Sequence, residues 1–103
     1  MNFFSKNPYF RKFKFPFTNI YLIKWLPNTI GPIHNHGGRD CNIFVLKGKL
    51  RENIYQQIPD NGYYMVDMKI LQEYQSSYIN DTIGKHSIHN LKDSNSWSLH
   101  YYK

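Results

Sequence analysis

Pro32-Ile33-His34-Asn35-His36-Gly37-Gly38 sets two histidines one residue apart in a segment without helical periodicity. In an extended chain, residues two apart point to the same face. His34 and His36 therefore aim both imidazoles into one volume, at a separation that a single metal ion bridges. Neutral imidazole is the commonest protein ligand for zinc, copper, iron and nickel. The competing reading is a pair of surface histidines, so the rest of the chain has to decide.

Outward from this stretch the sequence reads as short strands. Asn19–Trp25 is rich in β-branched and aromatic residues and ends at Pro27 and the turn Thr29-Ile30-Gly31-Pro32. Ile33–His36 is a short extended piece. Asn42–Lys47 holds four consecutive apolar residues and reads as a strand buried on both faces. Lys47-Gly48-Lys49 is expected to turn it into Leu50–Tyr55 as a hairpin. Pro59-Asp60-Asn61-Gly62 is a turn. Tyr63–Met68 and Lys69–Tyr74 read as two short strands, and Gln75–Ile79 as another. The Asn80–Gly84 turn leads to Lys85–Asn90. Asp93-Ser94-Asn95 turns into a last strand, Ser96–Tyr102. No segment carries a sustained i, i+3, i+4 apolar pattern. Many short strands separated by turns predict an all-β sandwich or small barrel.

The 103 residues suit one domain with a hydrophobic core of its own. We divide it into an N-terminal segment, 1–18, and a β-barrel, 19–103. The lone cysteine, Cys41, excludes an internal disulfide and fits a reducing, cytoplasmic setting. No apolar run is long enough for a spanning helix, and the N-terminus lacks a signal-peptide pattern. The net charge is +6, with Lys6, Arg11, Lys12 and Lys14 interleaved among phenylalanines. That mixture superficially suits single-stranded nucleic acid, but modest positive charge is first a matter of solubility, so no specific nucleic-acid partner is expected.

A third histidine, His86, follows His36 by fifty residues, just past a glycine turn. It converges with the His-x-His pair only if the intervening strands fold back on each other. Three neutral imidazoles leave open positions on an ion, which is the arrangement of a catalytic rather than a structural site.

At this point the sequence resembles the cysteine dioxygenases of the cupin superfamily. His34-x-His36, then Cys41, then Gly48 is similar to the first cupin signature, with cysteine where most cupins carry a metal-binding glutamate. Residues 78–86 with Asn90 resemble the second signature. Ser98-Leu99-His100-Tyr101-Tyr102 resembles the family's serine, histidine, tyrosine strand, and Tyr9-Phe10-Arg11 its tyrosine-x-arginine. The resemblance spans positions 9–102 in a chain shorter at both ends than the family's usual length.

The resemblance implies an antiparallel cupin barrel (a double-stranded β-helix, or jelly roll). It implies Fe(II) held by His34, His36 and His86, and oxidation of L-cysteine by O2 to cysteine sulfinate. Arg11, flanked by Tyr9, would hold the substrate carboxylate through its planar fork. Tyr102 would orient substrate and oxygen, supported by His100 and Ser98; those three alternate along one strand and share a face. Cys41 would form a thioether with Tyr102; as a residue type it is also a small buried hydrophobe. Two alternatives stay open: another small thiol carboxylate such as 3-mercaptopropionate as substrate, or a non-catalytic metal-binding cupin. A monomer or weak homo-oligomer is expected.

Overall fold

A computed structural model describes residues 9–34, 37–59 and 62–103. The chain forms eight strands: β1 (Phe10–Lys14), β2 (Ile20–Trp25), β3 (Cys41–Lys47), β4 (Leu50–Ile58), β5 (Gly62–Leu71), β6 (Ser76–Ile79), β7 (Lys85–Asn90) and β8 (Ser96–Tyr102). They build a five-stranded sheet, β1-β2-β8-β3-β6, and a three-stranded sheet, β5-β4-β7, with every strand pair antiparallel. This is the expected all-β jelly-roll arrangement. No helix among the described residues is long and apolar enough to cross a membrane.

The core lies between the sheets. Ile23 and Trp25 of β2, Cys41, Ile43 and Val45 of β3, and Ile79 of β6 meet Leu50 and Ile54 of β4, Leu71 of β5 and Ile88 of β7. β2 and β3 contribute alternate residues, as the two-residue period of a half-buried strand requires.

Four local expectations change. β3 is not buried on both faces: Cys41, Ile43 and Val45 point inward while Asn42 and Phe44 point out. The outward Phe44 ring lies 6.4 Å from that of Tyr74, so an apolar run here reflects a partner on the outer side. Gly48 does not close a hairpin, because β3 and β4 belong to different sheets; its φ of +92° turns the chain from one layer to the other. In place of two short strands over 63–74 there is one ten-residue strand, β5 (Gly62–Leu71), paired along β4 with a bulge at Ile54/Tyr55 that absorbs the change of register. β4 and β5 pair as far as Ile58 opposite Gly62; Asp60 and Asn61 of the expected turn lie outside the described residues.

The fourth change concerns the N-terminal segment. Residues 10–14, expected to precede the barrel, add to it as β1, with Phe10 opposite Trp25 and Lys12 opposite Ile23. Alternation then divides the basic segment between two faces: Phe10 and Lys12 turn inward, Arg11 outward. The basic-aromatic run is thus part of a sheet rather than a continuous charged patch.

Candidate active site

His34 and His86 are directly opposed. Each backbone amide donates to the other's carbonyl, His34 to His86 at 2.9 Å and His86 to His34 at 3.1 Å. Residues opposite each other in an antiparallel pair share a face, and here the two Nε2 atoms lie 2.9 Å apart. The other nitrogen of each ring faces an acceptor: His34 Nδ1 is 3.1 Å from the Pro32 carbonyl, and His86 Nδ1 is 2.7 Å from Glu52 Oε2. With Nδ1–H donated in both rings, both Nε2 lone pairs point into one small space. Only a proton or a cation relieves that repulsion. Imidazoles bound at right angles to a divalent ion at zinc-like distances of roughly 2.0–2.1 Å have their nitrogens about 2.8–3.0 Å apart. The pair therefore fits two adjacent corners of a metal's coordination shell.

His36, the third expected ligand, lies outside the described residues. Among the described residues, no group of three or more His, Cys, Asp or Glu side chains converges as a metal site.

Glu52 was not anticipated. It sits on β4 between Leu50 and Ile54, on the inward face, and is fully buried. Oε2 accepts from His86 and Oε1 accepts from Ser77 Oγ at 2.6 Å. Lys69 Nζ reaches the same Ser77 oxygen at 3.3 Å. Burial pushes the Glu52 carboxyl up, but the hydrogen bonds from His86 and Ser77 outweigh it and hold the group below the usual carboxylate range. An ionised carboxylate thus fixes the tautomer and orientation of the His86 ring. The available signal was the alternation Leu50, Glu52, Ile54: a charged residue in step with two apolar ones.

Beside His34 opens a cavity of about 240 Å³, lined by Phe10, Lys12, Trp25, Gly31, Pro32, Ile88 and Tyr102 as well. That is below the roughly 300–1,000 Å³ of sites for drug-sized ligands, so it suits a small molecule. Tyr102 stands at the end of the alternating row on β8. Ser98 and His100 in that row are buried, with Ser98 Oγ 2.8 Å from His100 Nε2. Trp25 Nε1 donates to Ser98 Oγ at 2.9 Å. Ser98 and His100 are thus brought together on the face that carries Tyr102.

Cys41 is the register partner of Tyr102 and is fully buried. Burial pushes its thiol up to about 12, while a hydrogen bond with Tyr102 pulls the other way. Burial likewise pushes the Tyr102 phenol up, and the neighbouring Cys41 adds to that.

Arg11 and Tyr9 are placed elsewhere. Arg11 is opposite Lys24, whose ammonium lies 5.8 Å from the Trp97 ring on the outer face. Arg11 Nη1 donates to the Phe10 carbonyl at 3.0 Å. The Tyr9 carbonyl accepts from the Leu26 amide at 2.9 Å. Neither side chain lines the cavity; the cation of β1 that does is Lys12. Pairing with β2 turns the even positions of β1 inward. His89 is buried outside the site, against Ser87, Asn53 and Arg51, and burial lowers its pKa.

A family profile described as cysteine dioxygenase type I matches residues 16–103. The chain belongs to the cysteine dioxygenase type I family. It is 31% identical to human cysteine dioxygenase type 1 over 87 residues, covering 82% of this chain and 44% of that protein. Against the zebrafish (Danio rerio) enzyme the identity is 32% over 89 residues, with the same coverage. The chain thus spans less than half the length of these relatives. Among solved structures, the Drosophila melanogaster CENP-C cupin domain superposes with a TM-score of 0.69 at 11% identity, covering 91% of this chain and 69% of that one. An oxalate oxidase superposes with a TM-score of 0.64 at 17% identity, covering 81% and 40%. At such identities these likenesses establish the cupin fold and nothing more. The family match starts after β1, so Tyr9, Arg11 and Lys12 fall outside it.

Proposed function

We propose that this chain forms the iron-binding barrel of a thiol dioxygenase that oxidises L-cysteine with O2 to cysteine sulfinate. The observation that carries the reading is the 2.9 Å approach of His34 Nε2 to His86 Nε2, beside a small cavity that also holds Tyr102. Family membership supports the reaction class.

In this reading His34, His36 and His86 hold Fe(II), with no carboxylate among the ligands. Bound iron supplies the open positions and one-electron chemistry that let O2 react with a thiolate. Three neutral ligands leave the site at +2, which favours an anionic thiolate. Glu52, one hydrogen bond behind His86, raises the basicity of that ligand without occupying a coordination position. Tyr102 orients the substrate from the cavity wall, and the Ser98–His100 pair stiffens the strand that carries it. Trp25, Phe10 and Ile88 exclude water from the sulfur. The reaction balances as one thiol plus one O2, both oxygen atoms ending on sulfur. The buried free thiol of Cys41 suits a reducing cytoplasm, and a monomer suffices because each proposed group comes from one chain.

The test is oxygen uptake and sulfinate formation by iron-loaded protein given L-cysteine. Turnover with one sulfinate per O2 is expected. Full iron occupancy without oxygen uptake would overturn the reading in favour of a non-catalytic metal-binding cupin. Faster turnover of 3-mercaptopropionate would move the substrate to that thiol.

A further inference from the structure

Among the described residues lining the cavity, Lys12 is the one lysine or arginine and none is Asp or Glu. Its inward direction follows from the β1–β2 register. Residues directly opposite in an antiparallel pair share a face, and Lys12 is opposite the buried Ile23. Two residues away, Phe10 is opposite the buried Trp25, and their rings lie 5.1 Å apart. Arg11, between them, takes the outer face with Lys24.

The Lys12 ammonium lies 4.4 Å from the Tyr21 ring centre and 5.3 Å from that of Tyr102. Aromatic faces steady a cation but do not neutralise it. A half-buried ammonium held by two rings at the edge of a small apolar cavity is short of negative charge. Burial accordingly lowers its pKa, with Cys41 as a weaker opposing influence.

We propose that Lys12, not Arg11, holds the acid group of the thiol substrate. This rests on the dioxygenase reading for the thiol and on the β1 register for the carboxylate. A lysine acts as a point charge, whereas an arginine fork demands two parallel hydrogen bonds. The site therefore selects for negative charge at the right distance rather than for one carboxylate orientation. L-cysteine and 3-mercaptopropionate both satisfy it. Cysteamine does not, because its ammonium meets Lys12 as a like charge.

The experiment measures anaerobic binding of L-cysteine, 3-mercaptopropionate and cysteamine to iron-loaded protein by calorimetry, in parallel with oxygen uptake. Wild type, Lys12→Met, Lys12→Arg and Arg11→Met are compared, with near-ultraviolet circular dichroism to verify folding. Lys12→Met is expected to weaken both acids by about tenfold or more, the scale of one charge-assisted hydrogen bond. The same variant leaves cysteamine unchanged or binds it more tightly. Lys12→Arg retains part of the preference for acids.

An equal loss for all three thiols in Lys12→Met would show a structural role and overturn the proposal. So would a loss of the acids confined to Arg11→Met. Lys12-dependent binding of the acids without oxygen uptake would uphold this inference and overturn the dioxygenase reading. Turnover indifferent to Lys12 would do the reverse. A wild type that binds none of the thiols would overturn both.

Discussion

Glu52 Oε2 lies 2.7 Å from His86 Nδ1, with both side chains withdrawn from solvent. The pair couples the proposed metal site to the core, because Glu52 projects from β4 between core residues while His86 projects from β7 toward His34. Glu52→Gln keeps the shape but removes the charge and presents an amide to a ring that donates. Iron affinity is expected to fall about 10- to 100-fold, the usual cost of losing such a partner. Metal titration of the purified variant with a competing chelator checks it.

Truncating the two histidines separates binding from stability. His86→Ala leaves the Glu52 carboxylate buried without its main partner, so the metal-free protein is expected to lose about 3 kcal/mol. His34→Ala touches an exposed side chain, and its cost is expected to stay under about 1 kcal/mol. Both variants are expected to lose binding at the proposed iron site. Urea unfolding of metal-free protein, beside elemental analysis after iron loading, distinguishes the two effects.

Cys41 and Tyr102 are register partners joined by a side-chain hydrogen bond. A thioether between them breaks one S–H and one ring C–H bond, forms one S–C bond, and passes two electrons and two protons to O2. Aerobic exposure of iron-loaded protein to cysteine is expected to join the peptides carrying these residues with loss of two hydrogens. Cys41→Ser abolishes the joined peptide. Peptide mass spectrometry before and after exposure is the measurement; separate peptides of unchanged mass would reject the link.

Alkaline pH should loosen the fold through the same residues. Cys41 is raised to about 12 in the folded chain, against about 8.5 in an unfolded one. Its contribution is therefore fully present below about pH 8.5 and is lost as pH rises toward the folded value. Tyr102 shifts in the same direction and extends the loss to higher pH. Stability from urea midpoints is expected to decline from about pH 8.5 upward. Cys41→Val should flatten the first part of that decline, and an unchanged slope in this variant would refute the assignment.

Gly48 tests the layer crossing. A methyl group there would overlap the Ser96 side chain, whose hydroxyl donates to Asn90 Oδ1 at 2.8 Å, and the positive φ adds backbone strain. Gly48→Ala is expected to cost about 2–4 kcal/mol. Gly62 has φ +81° with open space around it, so Gly62→Ala should cost only the backbone share, about 1–2 kcal/mol. Chemical denaturation of both variants gives the comparison.

Local sequence settled whatever depends on the two-residue period and on turn chemistry. The limits of β7 and β8 follow from the turns at 80–84 and 93–95. Ser98, His100 and Tyr102 share a face because alternate residues must. The four ordered motifs carried the family and hence the cupin fold. Alternation, however, states which residues share a face and not which face is inside. Only the partner strand decides that. Pairing of β1 with β2 turned Lys12 inward and Arg11 out. Separate sheets for β3 and β4 made Gly48 a crossing instead of a hairpin. The packing of β4 against β7, which brought Glu52 to His86 across thirty-four positions of chain, is a long-range event with no local signature.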